Sequence, residues 1–192
     1  MASRYDDEVW ALVEEQPGPP PRHLSAFVSS LGPADTVLDL GCGDARLSDL
    51  LEAGSLTIAD VSDVALARAR ARLPHATAVA IEPGAALPFH DNAFDLVLCA
   101  ETLEHVRDLQ MLLSEARRVL RPGGRLAVTT PAHGRLTGLA VAVRGFEGRF
   151  DPLSPHVRFL SRRSLTRLLD SMGFDVQSLR RDAGTLLAVA TR

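Results

Sequence analysis

Short apolar runs alternate with stretches of helical periodicity through most of the chain. Five runs have the length and composition of buried strands, and they cover residues 36–40, 56–60, 76–81, 94–99 and 125–130. Helical patterns lie between them at residues 44–53, 62–73 and 108–120. Strands that are apolar almost throughout and that alternate with helices are typical of a parallel sheet covered on both faces. We therefore predict an α/β fold.

The two ends of the chain follow other patterns. Residues 1–16 predict a short helix that the proline cluster at 17–21 breaks, and residues 23–31 predict a second one. After a weakly periodic segment at 131–155, the pattern predicts a helix over 161–172 and a hairpin of two strands, 174–179 and 185–190. A length of 192 residues favours one domain with one core.

Composition excludes several classes of protein. Hydrophobic residues make up 46% of the chain and charged residues 23%, as in ordinary globular proteins and unlike disordered ones. No apolar run reaches the roughly 18 residues of a membrane span, and the acidic start MASRYDDEVW lacks the apolar segment of a signal peptide. Two cysteines form neither a disulfide framework nor, by themselves, a zinc site. We therefore expect a cytoplasmic protein.

Charge is divided unevenly along the sequence. Residues 1–106 contain 6 Arg and 17 Asp or Glu, whereas residues 107–192 contain 15 Arg and 7 acids. All 21 basic residues are Arg, which, with the many Ala, Leu and Pro residues, indicates a GC-rich bacterial genome. The division predicts that the two halves meet different ligands.

A glycine-rich turn follows the first predicted strand. Gly41 and Gly43 in the segment VLDLGCGDA allow a sharp turn and a close backbone approach to a ligand. Asp60 ends the next strand, 17 residues after Gly43, where an acid can accept hydrogen bonds from both hydroxyls of a ribose. The pattern predicts a nucleoside-type cofactor. An ordinary strand–helix turn, with Asp60 as a helix cap, would leave the same pattern.

Two residues near this turn argue against a dinucleotide. Arg46 stands where the third glycine of a GxGxxG loop would be, and Asp39 precedes the first glycine by two residues. A carboxylate at that position would repel a pyrophosphate and suits a ligand with an ammonium group. The acidic first half of the chain agrees with a cationic cofactor. A nicotinamide-dependent oxidoreductase stays as an alternative.

Four segments together resemble the class I S-adenosylmethionine-dependent methyltransferases, in particular the small single-domain enzymes of the ubiquinone-pathway type. They are VLDLGCGDA (37–45), LPFHDNAFDLV (87–97), ETLEHV (101–106) and RVLRPGG (118–124), in the family's order and spacing. The resemblance covers about residues 30–190. It implies a doubly wound, Rossmann-like sheet of seven strands in the order 3-2-1-4-5-7-6, with an antiparallel last strand. It also implies methyl transfer from S-adenosylmethionine, with S-adenosylhomocysteine as product. We expect a small-molecule acceptor, with oxygen as the favoured target atom.

The resemblance assigns expected roles to individual residues. The methionine part of the cofactor would lie on Gly41, Cys42 and Gly43 near Asp39, the ribose on Asp60 and the adenine against Val61. Cys99, Ala100 and Glu101 would lie beneath the methionine and ribose. Many relatives have an Asp that binds the adenine amino group where this chain has Pro83. Glu82, or a backbone carbonyl of the segment through Gly84, is expected to replace it.

His105 is the candidate catalytic base, because it follows the fourth strand at the mouth of the predicted site. An anchoring role under the loops is the alternative. The spacing of Glu101, Glu104 and His105 also resembles a metal cluster of two branches of the superfamily, which His156 or His133 would complete. Relatives with the same spacing and no metal use these acids for the cofactor or as helix caps, so the sequence leaves the metal open.

The family resemblance makes residues 1–31 an N-terminal helical cap and 131–160 a lid over the acceptor, within a single domain of residues 1–192. Six arginines lie in or beside the lid: Arg135, Arg144, Arg149, Arg158, Arg162 and Arg163. They favour an acceptor with a carboxylate or phosphate, although a solvated arginine-rich surface would look the same. Aromatic residues are only 5% of the chain, so a stacking platform for nucleic acid is not expected. A non-catalytic module that binds the cofactor and regulates a partner is a further alternative.

Overall fold

The computed structural model describes residues 4–13, 18–134 and 156–192. Seven strands form one sheet in the order β3-β2-β1-β4-β5-β7-β6. They are β1 (Ala34–Leu40), β2 (Ala53–Asp60), β3 (Thr77–Ala80), β4 (Phe94–Ala100), β5 (Leu120–Pro131), β6 (Asp175–Asp182) and β7 (Thr185–Thr191). Strands β1 to β5 pair in parallel, and β7 runs antiparallel to β5 and β6. The predicted fold class and strand order are confirmed.

The helices in the described ranges are α1 (Arg4–Leu12), α2 (Arg22–Ser29), α3 (Asp63–Arg72), α4 (Leu109–Val119) and α5 (Arg162–Ser171). Polar side chains cap three of them, because the first backbone N–H groups of a helix lack partners within it. Ser62 caps α3, Asp108 caps α4 and Ser161 caps α5. None of these helices is long and apolar enough to cross a lipid bilayer.

Two apolar layers cover the two faces of the sheet. Helices α4 and α5 bury residues such as Leu113 and Leu165 on one face. Helices α2 and α3 bury Phe27, Ala69 and their neighbours on the other. Burying a large aliphatic side chain contributes about 1.5–3 kcal/mol. These layers bury both faces of the central strands, and the loops of the site follow directly from the carboxyl ends of those strands.

The helix predicted over residues 44–53 is wrong. The chain makes tight turns after the first strand, with Ala45 at a φ of 60°, and forms only one turn of 3-10 helix at Ser48–Leu50. Strand β2 then begins at Ala53. The Ser48 hydroxyl hydrogen-bonds the buried Asp39 carboxylate, 2.5 Å away. A side-chain hydrogen bond thus joins this segment to β1, and the spacing of its apolar residues could not reveal that bond.

Strand β5 begins five residues before the predicted start at 125. Leu120 already pairs with Phe94, and the next pair joins Arg125 to Leu96, so the glycine-containing turn bulges out of a continuing strand. The bulge changes nothing at the other end of β5. There the carboxyl ends of β1, β2, β4 and β5 lie side by side, because parallel neighbours end at the same edge.

Candidate cofactor and acceptor site

The glycine loop, Gly41 to Gly43, is held against the end of β2. The Gly41 and Cys42 N–H groups both donate to the Ala59 carbonyl, at 2.8 and 3.1 Å. Gly41 has a φ of 80°, and a Cβ placed on it would lie 2.4 Å from the Thr102 methyl carbon. Any other residue would be strained and would collide with the loop after β4. The predicted turn is therefore hydrogen-bonded to the end of β2 and packed against the loop after β4.

Asp60 bridges the glycine loop and the start of α3. Its Oδ2 accepts the Gly43 N–H at 2.8 Å, and its Oδ1 accepts the Ser62 N–H at 2.9 Å. Because Ser62 itself caps α3, Asp60 is not the helix cap that the sequence left open. Burial raises the pKa of Asp60, while these backbone hydrogen bonds act to lower it. Each carboxylate oxygen keeps a lone pair for a further donor.

Asp39 is 1% exposed and lies next to the glycine loop at the end of β1. Its Oδ2 accepts the Ser48 hydroxyl, whereas its Oδ1 has no hydrogen-bond partner among the described residues. Burial, helped by the negative charge of Asp60, raises the pKa of Asp39 to about 7. Burial of a carboxylate oxygen without a hydrogen-bond donor costs free energy unless a ligand supplies the donor. This buried Oδ1 beside the glycine loop suits the predicted ammonium group.

The two thiols are not activated nucleophiles. Cys42 lies in the glycine loop and Cys99 is fully buried near the end of β4. Burial raises the pKa of both thiols, and the charge of Asp39 adds to it. Both therefore stay protonated at neutral pH. These shifts agree with the expectation that neither is an unusually reactive thiolate, which stays a prediction.

The remaining predicted cofactor residues differ in how far they are buried. Val61 packs beside the core, and Ala100 is partly exposed at the end of β4. Glu82 and Gly84 follow β3 and are exposed, and a Cβ on Gly84 would meet nothing within 4 Å. An adenine-binding role for Glu82 or Gly84 stays a prediction.

Glu101 adopts a left-handed conformation with a φ of 53° directly after β4. Its Oε1 accepts the Thr129 hydroxyl at 2.7 Å, and its backbone N–H donates to the Thr129 carbonyl at 2.9 Å. Burial raises the pKa of Glu101, and the nearby His23 and His156 oppose that shift. The side chain is thus fixed between the ends of β4 and β5.

Glu104, His105 and His156 form a second group, which we call the mouth cluster. One ligand atom from each lies within 4.8 Å of the others, and the two imidazoles pack edge to face with centroids 4.8 Å apart. Glu104 is 1% exposed, and its Oε2 accepts the Thr130 hydroxyl at 3.0 Å. Its Oε1 has no hydrogen-bond partner within the described ranges. Burial and the charge of Glu101 raise its pKa to about 8.

The mouth cluster could hold a divalent ion. One carboxylate and two imidazoles suit transition metals such as zinc or manganese, and the free Glu104 oxygen is an available ligand atom. Of the predicted members, Glu101 bonds Thr129 instead, and the His133 ring packs on Phe159 at 5.0 Å. Metal binding stays a hypothesis. Of the two histidines that the sequence offered to complete the cluster, His156 lies with Glu104 and His105.

The proposed lid falls largely outside the described residues, including Arg135, Arg144 and Arg149. Arg158 donates to the backbone carbonyls of Val106 and Arg107, so it fastens the segment to the loop after β4. Arg162 and Arg163 begin α5. The anionic acceptor therefore stays a prediction.

Sequence reasoning missed the threonines that hold the acids. Thr102 donates to the backbone at the ends of β1 and β4, while Thr129 and Thr130 donate to Glu101 and Glu104. Two adjacent threonines at the end of an otherwise apolar strand could have been noticed in the sequence. Their pairing with Glu101 and Glu104 could not, because these acids lie 28 and 26 residues earlier in the chain.

The family described as "Methyltransferase domain" matches residues 38–128. A demethylmenaquinone methyltransferase of Mycolicibacterium gilvum is 32% identical over 187 residues, which cover 88% of this chain and 80% of that one. This chain belongs to the S-adenosylmethionine-dependent methyltransferases. The predicted family and its cofactor, S-adenosylmethionine with S-adenosylhomocysteine as product, are confirmed. The nicotinamide alternative receives no support.

Two further relatives bear on fold and acceptor. The malonyl-[acyl-carrier protein] O-methyltransferase of Methylococcus capsulatus is 34% identical over 179 residues, covering 86% of this methyltransferase chain and 63% of its own length. The YcgJ protein of Bacillus subtilis superposes with a TM-score of 0.73 at 15% identity, covering 90% and 99% of the two chains, and shows the fold alone. This chain spans 52% and 63% of the first two curated relatives that it matches.

Proposed function

We propose that this methyltransferase transfers a methyl group to a hydroxyl oxygen of a small-molecule acceptor at the carboxyl edge of β1, β2, β4 and β5. One observation carries the proposal. The glycine loop, with Asp39 and Asp60, lies at the same edge of the sheet as Glu104 and His105, which follow β4. A cofactor and a proton acceptor at this edge would serve one acceptor position.

The cofactor half of this site holds a cation. Asp39 would face the amino group with its free Oδ1, and Asp60 would accept both ribose hydroxyls with its remaining lone pairs. Bound S-adenosylmethionine supplies a methyl group on a positively charged sulfur. Val61 and Ala100 would bound the cofactor on the sheet side.

The acceptor half of the site handles a proton. A hydroxyl attacks efficiently only as it loses its proton, and the exposed imidazole of His105 would take that proton. Glu104, buried beside it with one free oxygen, would stabilise the imidazolium that forms. The rest of the catalysis is positioning, which can be worth about 7–11 kcal/mol at best.

The acceptor that we propose is small and has an anionic group distant from the reacting hydroxyl. Glu101 and Glu104 disfavour an anion next to the methyl group, whereas arginines concentrate in the second half of the chain. One of the named relatives is an O-methyltransferase and another is a demethylmenaquinone methyltransferase, so their names leave the target atom of this chain open. The acidic and imidazole groups at the mouth support oxygen for this chain.

A screen of methyl acceptors tests the proposal. Hydroxy acids and phenols, each with and without a carboxylate, are compared with amines and thiols by the release of S-adenosylhomocysteine. Turnover of hydroxyl compounds, reduced when the carboxylate is esterified, is the expected result. Turnover confined to amines would contradict the oxygen assignment, and S-adenosylmethionine binding without any turnover would favour a non-catalytic module. Cytoplasmic location and the cap and lid roles belong to the same proposal.

A further inference from the structure

Helix α1 lies on the cofactor edge, by which we mean the glycine loop with Asp39 and Asp60. None of residues 5–12 is buried, and Leu12 is 84% exposed. An isolated helix of nine residues is marginal in water. The position of α1 therefore depends on a few contacts with its neighbours, and those contacts converge on the glycine loop and the start of α3.

Trp10 packs on the glycine loop. A Cβ placed on Gly43 would lie 2.7 Å from Cζ2 of the indole, so the ring is in direct contact with the loop backbone. The Arg68 guanidinium lies 5.9 Å from the ring centroid and also donates to the Val13 carbonyl at 2.9 Å. A cation at this distance is attracted to the face of an aromatic ring.

Asp7 ties the other end of α1 to the residues just after Asp60. Its Oδ1 accepts the Ser62 hydroxyl at 2.7 Å and the Val64 N–H at 3.3 Å, and these bonds lower the pKa of Asp7. Ser62 in turn donates its N–H to Asp60. The anchor of α1 and the proposed ribose acid thus share one residue.

We propose that α1 is a clamp on the cofactor, with Trp10 as a wall of the cofactor site and Asp7 as its anchor. The proposal rests on the proposed function, because it places the cofactor on the glycine loop. It assigns Trp10 a direct contact with the cofactor, and it gives Asp7 a positioning role through Ser62.

Linkage makes the clamp measurable. A ligand shifts an equilibrium between docked and undocked α1 by its difference in affinity for the two states. Because few contacts hold α1, cofactor binding should strengthen its docking, and loss of Trp10 should weaken cofactor binding in return. Trp10 is the only tryptophan of the chain, so its fluorescence reports on α1 alone.

The first experiment uses the unmodified chain. S-adenosylhomocysteine is titrated while calorimetry measures binding and acrylamide quenching measures the accessibility of Trp10. We expect quenching to fall at least twofold, with the same saturation as the calorimetric signal. Calorimetric binding with unchanged quenching would overturn the clamp and leave the proposed function intact. No binding in calorimetry would overturn both.

Variants then separate a contact from mere proximity. Trp10→Ala should weaken S-adenosylhomocysteine binding about tenfold, whereas Trp10→Phe, which keeps an aromatic wall, should stay within threefold. Asp7→Ala should weaken binding about threefold and speed hydrogen exchange across residues 4–12. Leu12→Ala, an exposed position on the same helix, is the matched control and should change neither quantity. Unchanged or tighter binding by Trp10→Ala would overturn the proposal, since tighter binding would mean that the indole occupies the cofactor's place.

Discussion

The two halves of the site hold their acids in different ways. At the cofactor edge, Asp60 lies 17 residues from the loop that it binds, and backbone N–H groups occupy both of its oxygens. At the mouth, Glu104 is held by one threonine hydroxyl and keeps a buried oxygen without a partner in the described structure. Asp60 is thus bonded to the backbone through both oxygens, whereas Glu104 keeps one oxygen available for a proton, an ion or a neighbouring imidazolium.

The difference indicates a division of labour. Backbone N–H groups hold both oxygens of Asp60 in fixed positions, so this acid is preorganised for binding rather than for proton transfer. The mouth cluster combines a carboxylate of raised pKa with two imidazoles, which is the chemistry of proton transfer. Changes at the mouth should therefore affect turnover, and changes at the cofactor edge should affect binding.

The largest expected effect is at the mouth. His105→Gln should lower kcat by about 10²–10⁴-fold, because general base catalysis contributes that much. The affinity for S-adenosylhomocysteine should be unchanged, since the imidazole lies outside the cofactor edge. Rates are measured by product release and affinity by calorimetry.

His75→Gln is the matched control for His105→Gln. His75 is exposed and precedes β3, at the opposite edge of the sheet, so its variant should keep wild-type kcat. A His105→Gln enzyme with normal kcat would reduce His105 to an anchoring role. Lost cofactor affinity in that variant would break the division between the two halves.

The next largest effect is at Asp60. Asp60→Ala should weaken cofactor binding by about 1–3 kcal/mol, because the ribose hydroxyls lose a buried acceptor. Calorimetry with S-adenosylhomocysteine measures the loss, and circular dichroism checks that the variant is folded. Asp63→Ala, an exposed acid in the first turn of α3, should bind normally. Normal binding by folded Asp60→Ala would leave Asp60 a purely structural bridge.

A smaller effect should follow pH. The raised pKa of Asp39, about 7, means that the carboxylate is partly protonated at neutral pH. Cofactor affinity should rise with pH between about 6 and 8, by at most tenfold per unit. The sign reverses for stability, because a raised folded-state pKa favours the folded protein at low pH and that contribution falls from about pH 4 to pH 7.

Asp39→Asn should flatten the dependence of affinity on pH and bind more weakly at pH 8. Calorimetry at several pH values checks both. An unaltered pH profile in this variant would assign the titration to another group.

The smallest expected effect is that of chelation. If the mouth cluster acts as a base, prolonged treatment with a chelator should leave turnover unchanged. Loss of turnover that a divalent ion restores would instead make Glu104, His105 and His156 metal ligands. Mass spectrometry under non-denaturing conditions, with and without chelator, reports bound metal independently of activity.

Sequence reasoning succeeded where the information is local. The alternation of strands and helices, the turn at Gly41 and Gly43, and Asp60 at the end of β2 all follow from short segments, and the strand order came from the family resemblance. It failed over 44–53, where a hydrogen bond between Ser48 and Asp39 overrides helical spacing.

The mouth cluster and the clamp depend on the folded chain. His105 and His156 are 51 residues apart in sequence, and the sequence could not choose between His156 and His133. The contact of Trp10 with Gly43 joins the first helix to a loop that follows a later strand. Only packing of the elements on the sheet brings such pairs together, so no local pattern records them.

A crystal structure of the chain with S-adenosylhomocysteine would show directly whether the two halves of the site lie on either side of the reacting methyl group. The ribose hydroxyls should lie within about 2.6–3.2 Å of the Asp60 carboxylate. The amino group should lie beside Asp39, and the sulfur should face the mouth cluster. Ribose bound to another acid, or a sulfur directed away from His105, would contradict the placement of both halves of the site.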